Sequence, residues 1–146
     1  MDYPSHDEEV ALVRQVTAGA VGEALRVDEV RPVLTPGEMV ALQGLAARVH
    51  VDDAVLGYAV ALVRATRSWP GVALGAGPRG ALALVRAARG AALLDGRGFV
   101  VPDDVKAMAL PALRHRIQRA PETEIEGLGD DDLLTAILAK LPVPRQ

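Results

Sequence analysis

The stretch that decides the fold is residues 75–104, "GAGPRGALALVRAARGAALLDGRGFVVPDD". Its first six residues, "GAGPRG", match the G-x-G-x-x-G fingerprint of dinucleotide-binding folds. The same residues are also typical of a helix start, because Gly77 can cap a helix and Pro78 suits the first helical position. The two interpretations predict different folds, and the rest of the sequence distinguishes them.

A dinucleotide-binding fold needs a buried strand before the first glycine and further βαβ units that build a parallel sheet. "VAL" (72–74) precedes Gly75, and "FVV" (99–101) ends close to Asp103, where a ribose-binding carboxylate could lie. However, both apolar runs are very short, the upstream sequence has helical patterns, and the segment after residue 101 offers no second crossover. A dinucleotide-binding enzyme that uses "GAGPRG" is therefore the weaker alternative.

Apolar periodicity and capping signals outside this stretch predict an all-α fold, a small bundle of about six helices with one or two very short extended segments. The first helix is expected over about residues 6–20, and "EVRPVL" (29–34) could be extended because residues before proline avoid the helical region. The predicted helices begin near Ser5, Thr35, Asp52 or Asp53, Gly77, Pro102 and Asp130. The run from Gly77 to Leu94 is apolar nearly all round, which predicts the central helix.

The composition limits the possible functions. Half of the 146 residues are hydrophobic and 3% are aromatic, so the core must be built from Ala, Val and Leu. The net charge of −3 gives no broad electrostatic footprint for nucleic acid, and the absence of cysteine excludes disulfides and thiolate metal sites. No apolar run is long enough for a membrane span, and the acidic N-terminus does not resemble a signal peptide. A cytoplasmic protein is expected.

Arg79 is the most informative charged residue of the opening stretch. It falls in the first turn of the predicted helix, where the partial positive charge of the helix start disfavours a cation by a few tenths of a kcal/mol. An arginine beside exposed backbone N–H groups is suited to binding an anion. A solvated arginine without a ligand is the commoner situation for a single surface position.

The remaining candidate residues have structural explanations. His6, His50 and His115 lie too far apart in sequence for a recognisable metal site, and no metal site is predicted. The acidic runs at 7–9, 103–104 and 130–132 fall at predicted helix starts, where capping explains them better than catalysis.

One basic cluster and one tryptophan complete the candidates. Arg114, His115, Arg116 and Arg119 form the basic cluster, which is interpreted as a solvated helix end or, more specifically, a subunit contact. Trp69 is interpreted as a core anchor rather than a platform for a ligand.

Residues 75–117, "GAGPRGALALVRAARGAALLDGRGFVVPDDVKAMALPALRHRI", strongly resemble the C-terminal lid of the MoxR group of AAA+ ATPases. That family's run reads roughly G-x-S-P-R-A/G, a helix of Ala and Leu, L-x-G-R-x-x-V-x-P-x-D-V, and then L-x-H-R. "DYPSHDEEVALVR" (2–14) resembles the segment that leaves the ATPase core, and "EIEGLGDDDLLTAILAKLPVPR" (124–145) resembles the closing helix and tail. The resemblance covers nearly the whole chain.

The resemblance implies a single lid domain, residues 1–146, from a longer chain. Residues 1–34 would link it to the absent ATPase core, residues 35–117 would form the main bundle, and residues 118–146 would form the C-terminal helix and tail. By position, Arg79 matches the sensor-2 arginine that reaches the γ-phosphate of ATP, with Gly77 and Pro78 beside it at the cofactor.

The resemblance also implies cofactors and partners for the full-length protein. These are ATP with Mg²⁺, the AAA+ core domain of the same chain, a homo-oligomeric ring (a hexamer) and a von Willebrand factor A domain protein. The whole would be a chaperone-like assembly machine in which the lid moves with nucleotide state. This chain has neither a Walker A nor a Walker B motif, so we expect no hydrolysis and no tight cofactor binding by the chain alone.

Two positions depart from the family pattern. Gly77 stands where serine is usual, and Val101 stands where threonine is usual before Pro102. Both lose a side-chain cap, at an expected cost of a few tenths of a kcal/mol for glycine and about 1 kcal/mol for valine. A stand-alone helical protein-interaction module without a nucleotide role is the principal alternative function.

Overall fold

The computed structural model describes residues 3–18 and 30–144 and divides the chain into two compact units, Met1–Thr35 and Pro36–Gln146. In the first unit, helix α1 spans His6–Thr17. Both the backbone N–H and the hydroxyl of Ser5 donate to Glu8 Oε2 at 2.7 Å, which confirms the predicted start. The expected end near residue 20 and residue 29 of the predicted extended piece lie outside the described residues, and residues 30–34 contain no strand.

The second unit is helical, as predicted. Its helices are α2 (Pro36–Arg48), α3 (Asp53–Ala65), α4 (Pro78–Leu94), α5 (Pro102–Leu113), α6 (Pro121–Ile125) and α7 (Asp130–Lys140), with a 3₁₀ turn at Arg114–Arg116. Strands β1 (Val72–Leu74) and β2 (Gln118–Arg119) pair antiparallel as a two-stranded ribbon. Neither α6 nor β2 was predicted from the sequence, whereas the other five helices of this unit begin where the capping signals place them.

Helix α4 packs against α2, α3 and α5, and α5 packs against α3, α4 and α7, so the predicted central helix shares the centre of this unit with α5. Its inward face carries Gly80, Leu84, Ala88 and Ala92, all buried. The fully buried side chains around it are Leu, Ile and Val together with Thr66, which confirms a core of small aliphatic residues. Small residues on α4 allow its neighbours to approach closely.

Two segments outside the helices also contact the rest of the unit. "FVV" forms no strand; only Phe99 makes an isolated parallel bridge, with His50. Here His50 donates its N–H to Gly98 O and Val100 donates its N–H to His50 O, each at 2.9 Å. Trp69 is half-buried and packs against the core, in agreement with its interpretation as a core anchor. Across residues 3–18 and 30–144, no helix has the length and apolar character that a bilayer crossing requires.

Candidate functional site: the start of helix α4

The loop before α4 is held against the end of α3 by backbone and side-chain contacts. Ala76 is fully buried, its N–H donates to Thr66 Oγ1 at 2.9 Å, and its carbonyl accepts from Arg67 Nε at 2.9 Å. The Thr66 hydroxyl donates in turn to Val63 O at 2.6 Å. These bonds fix the loop one residue before the glycine that caps α4.

Gly75 is required by close packing. A Cβ at this position would lie 2.5 Å from Arg67 Cα and 2.6 Å from its backbone nitrogen. Both atoms belong to the backbone, so they cannot rotate away. The first glycine of "GAGPRG" is therefore explained by a close approach between this loop and the turn that follows α3, without any pyrophosphate.

Gly77 caps α4 in an extended conformation, with φ −82° and ψ −178°, and Pro78 is the first helical residue. Nothing lies within 4 Å of a Cβ built at Gly77, so a serine would fit there. Gly80 is buried, and a Cβ on it would lie 3.1 Å from Ala76 Cβ and 3.2 Å from Leu113 Cδ2. The last glycine of the motif therefore lets α4 pack against the end of α5.

Arg79 lies exposed in the first turn of α4. It forms no hydrogen bond or ion pair with any residue that the structure describes. The first turn of α4 contains no acidic residue. The guanidinium and the helix start therefore add their positive charges at one exposed place, which is suited to an oxyanion such as a phosphate.

The predicted basic cluster does not form one solvated patch. Arg114 pairs with Asp131 at 3.1 Å, and Arg119 pairs with Asp130 at 3.1 Å while donating to Leu128 O at 2.9 Å. Arg116 instead donates from Nε to Ala112 O at 3.0 Å, and its Cδ lies 3.8 Å from the Cβ position of Gly80. Two of the arginines thus bind α7, whereas the stem of Arg116 lies beside the first turn of α4.

The start of α5 differs from that of α4, because its first turn contains acidic residues. Asp104 is 6% exposed and accepts two bonds from the Arg97 guanidinium and one from the Val101 N–H, the last at 2.8 Å. Its hydrogen bonds to Arg97 hold the pKa of the Asp104 carboxyl below its usual value, with a smaller contribution from the Val101 N–H. Capping by Asp104 was predicted; it satisfies the N–H of Val101, whereas the side-chain cap expected to be lost at Val101 is absent. The ion pair to Arg97 was not predicted.

The other candidates take structural roles or none. His6, His50 and His115 are all exposed, and no group of three potential metal ligands exists within residues 3–18 and 30–144. In the run 130–132, Asp132 accepts the Gly129 N–H at 2.8 Å, as capping predicts. The other two aspartates of that run form the ion pairs to Arg119 and Arg114, so capping explains only part of this cluster.

The geometry excludes the dinucleotide interpretation. Strand β1 pairs only with β2, antiparallel, and no parallel sheet is present in the described part of the chain. Thr66 and Arg67, which position the loop before α4, were not predicted from the sequence. Their one local signal is that they follow the last apolar residues of α3, and their partner Ala76 becomes apparent only in three dimensions.

The model of the family described as AAA lid domain matches residues 64–137. "Uncharacterized protein YeaC" from Bacillus subtilis is 34% identical over 146 residues, which are 100% of this chain and 44% of that protein. "Chaperone MoxR1" from Mycobacterium tuberculosis is 29% identical over 154 aligned residues, covering 98% of this chain and 38% of that protein. The chain thus spans less than half the length of these relatives.

A solved structure shares the fold. The crystal structure of a Cytophaga hutchinsonii protein, provisionally named as an ATPase, superposes with a TM-score of 0.76 at 24% identity. The match covers 99% of this chain and 45% of that one. With the family match and the MoxR relatives, these results show that the chain belongs to the AAA lid domain family and is a C-terminal lid of the MoxR group of AAA+ ATPases.

Proposed function

We propose that this lid belongs to a longer MoxR-like AAA+ ATPase and supplies Arg79 to an ATP site that it shares with the ATPase core of the same chain. Gly77 and Pro78 would lie beside the phosphates and present the start of α4 to them. The observation that carries the proposal is the exposed Arg79 in a first turn without acidic residues. A terminal phosphate placed there would supply the negative charge that neither the first turn of α4 nor any other described residue provides to Arg79.

The residues at this site fit phosphate and do not fit a metal ion. A guanidinium and a helix start both attract anions, and the first turn of α4 offers no carboxylate to a cation. Mg²⁺ would therefore be held by the core domain, where it would neutralise charge on the phosphates. The part of this chain would be to bind and orient the γ-phosphate and to respond to its loss on hydrolysis.

The lid would move relative to the core as the nucleotide changes, because Arg79 gains or loses its anionic partner. In this proposal the full-length protein works in the cytoplasm as a homo-oligomeric ring, a hexamer. It would be a chaperone-like machine that assembles or matures a client, with a von Willebrand factor A domain protein as partner. "Chaperone MoxR1", among the relatives, supports the chaperone-like part.

The test is ATP hydrolysis by the longer protein that contains this lid and its upstream sequence. We expect Arg79→Ala to lower kcat at least ten-fold, because the terminal phosphate loses a cation in the transition state. Arg86→Ala is the matched control, since Arg86 is an exposed arginine of the same helix without a partner among the described residues. Its kcat should stay within two-fold of the unmodified protein.

Equal activity of the Arg79→Ala and Arg86→Ala proteins would contradict the sensor role of Arg79. Failure of the longer protein to bind ATP at all would favour the alternative, a helical protein-interaction module without a nucleotide role. Arg79→Lys separates charge from shape, because a lysine keeps the charge and loses the planar fork of donors. We expect it to recover only part of the activity.

A further inference from the structure

A cleft of about 500 Å³ lies in the second unit, at the turn before β1 and between α6 and α7. Its floor is largely apolar and includes Trp69, Pro70, Leu128, Leu133 and Ala136. The cleft has no part in the site proposed for Arg79, since neither Arg79 nor any other residue of α4 lines it. Its size and apolar floor suit one large apolar side chain with its backbone.

The charges around this cleft are one-sided. Residues 120–139 contain six acidic residues and no Lys or Arg. Three of the acids have a cationic partner, because Glu124 and Asp130 share Arg119 and Asp131 pairs with Arg114.

The other three acids, Glu122, Glu126 and Asp132, all line the cleft. None of them has a cationic partner among the described residues, although Asp132 accepts the Gly129 N–H. Within residues 120–139, the acids outside the cleft therefore form ion pairs, and the acids that line the cleft form none with the described residues.

From this arrangement we infer that the cleft is a docking site for a basic segment of a partner protein, in which one aliphatic or aromatic side chain is flanked by Lys or Arg. The apolar side chain would contact Trp69 and Leu133 on the floor. The flanking cations would meet Glu122 and Glu126 at the rim. Charge complementarity selects this occupant, since an acidic segment would face three unpaired carboxylates.

Trp69 makes the inference directly measurable. It is the sole tryptophan of the chain, and it lines the cleft in a half-buried position. A side chain that enters the cleft displaces water from the indole, so tryptophan emission should report occupancy without a label. The measurement uses no nucleotide and does not involve Arg79, so its result is independent of the proposed ATPase role.

The experiment titrates the 146-residue chain with capped pentapeptides Gly-Lys-Xaa-Lys-Gly, where Xaa is Leu, Ile, Met or Phe. We expect a saturable change in emission for at least one of them, with a dissociation constant on the order of 1 mM, because a single side chain and two exposed ion pairs give little affinity. The peptides Gly-Glu-Xaa-Glu-Gly and Gly-Lys-Gly-Lys-Gly should bind at least five-fold more weakly. Added salt should weaken the lysine peptides.

The double variant Glu122→Gln/Glu126→Gln should weaken the lysine peptides at least five-fold. Its matched control is Glu9→Gln/Asp53→Asn, which removes the same charge from two exposed acidic residues in the first turns of α1 and α3. Ala136→Lys, on the exposed surface of α7, is a second variant that places a cation at the cleft and should also block the peptides. Circular dichroism melts verify that each variant folds.

Three results would overturn the inference. The first is the lack of a saturable response to any lysine peptide up to about 10 mM. The second is equal binding of the lysine and glutamate peptides, or equal weakening by the test and control double variants. The third is a peptide-free change in emission with protein concentration that Ala136→Lys abolishes, which would assign the cleft to a second copy of the chain.

Discussion

Helices α4 and α5 begin alike in sequence and differ in charge. Each has proline as its first residue. The residue before that proline, Gly77 for α4 and Val101 for α5, offers no polar side chain to cap the helix. The first turn of α5 contains two aspartates, and Asp104 is bonded to both Arg97 and the Val101 N–H. The first turn of α4 contains Arg79 and no acid.

The comparison shows at which helix start the chain itself supplies a compensating negative charge. At α5 the positive end of the helix is compensated internally by a carboxylate that also fixes the preceding turn, so this start contributes stability. At α4 the neighbouring backbone is also held, through Thr66 and Ala76, but the positive charge has no counterpart among the residues that the structure describes. A rigid helix start with an uncompensated cation is suited to binding an anion that comes from outside the domain.

The largest loss of stability should come from disrupting the contact that holds the loop before α4. Gly75→Ala places a Cβ 2.5 Å from Arg67 Cα, so either the loop or α3 must shift. We expect a loss of about 3 kcal/mol in the free energy of unfolding, measured by urea denaturation. Gly77→Ala is the control, since nothing lies within 4 Å of the added atom; a similar loss in both variants would contradict the packing argument.

A smaller effect should come from removing the internal compensation at α5. Asp104→Ala leaves Arg97, whose side chain is 27% exposed, without its bidentate partner and leaves the Val101 N–H without its acceptor. We expect a loss of about 2 kcal/mol, below the cost of a fully buried pair because Arg97 keeps Asp95. Asp103→Ala, on an exposed neighbour, should cost less than about 0.5 kcal/mol.

The Asp104 contribution should also depend on pH. Because the pKa of Asp104 is lowered in the folded state, its stabilisation is complete above the unfolded pKa, about 4. It should be lost as the pH falls below that value and through the folded pKa. The stability difference between the unmodified chain and Asp104→Ala should therefore be constant from pH 6 to 8 and shrink below about pH 4; a constant difference at all pH values would assign the loss to packing alone.

The smallest effects should come from exchanging the charges of the two helix starts. Arg79→Glu should stabilise the domain by about 0.5 kcal/mol, because an anion replaces a cation at the positive end of α4. Asp103→Lys should destabilise α5 by a similar amount, because it places a cation at the positive end of that helix. It also removes the 2.9 Å ion pair to Lys106. Thermal melts at low and high salt measure both, and shifts that persist in 1 M salt would show that the helix field is not their cause.

Local signals predicted most of the fold. Pro78, Pro102 and Asp130 mark helix starts that the structure confirms, because proline geometry and first-turn acids act within a few residues of their own position. Strand β2 and helix α6 were missed, since β2 exists only through its pairing with β1, far away in sequence. An isolated "QR" carries no periodicity from which such a strand could be read.

The candidate site was predicted in part. The position of Arg79 in an exposed first turn followed from "GPRG" alone. By contrast, the basic residues at 114–119 looked alike in sequence, and only their distances to α7 separate the paired Arg114 and Arg119 from Arg116. The Arg97–Asp104 pair was missed for the same reason, since it spans the turn between α4 and α5.

The hydroxyl of Thr66 has a consequence for which sequences can share this lid. It donates to Val63 O and accepts from Ala76 N–H at the same time, in a fully buried position. A valine of nearly equal shape could do neither, and both backbone groups would lose their partner inside the core. We therefore expect only a small alcohol, serine or threonine, to hold the loop in this way, so a residue outside α4 limits which residues can precede Arg79.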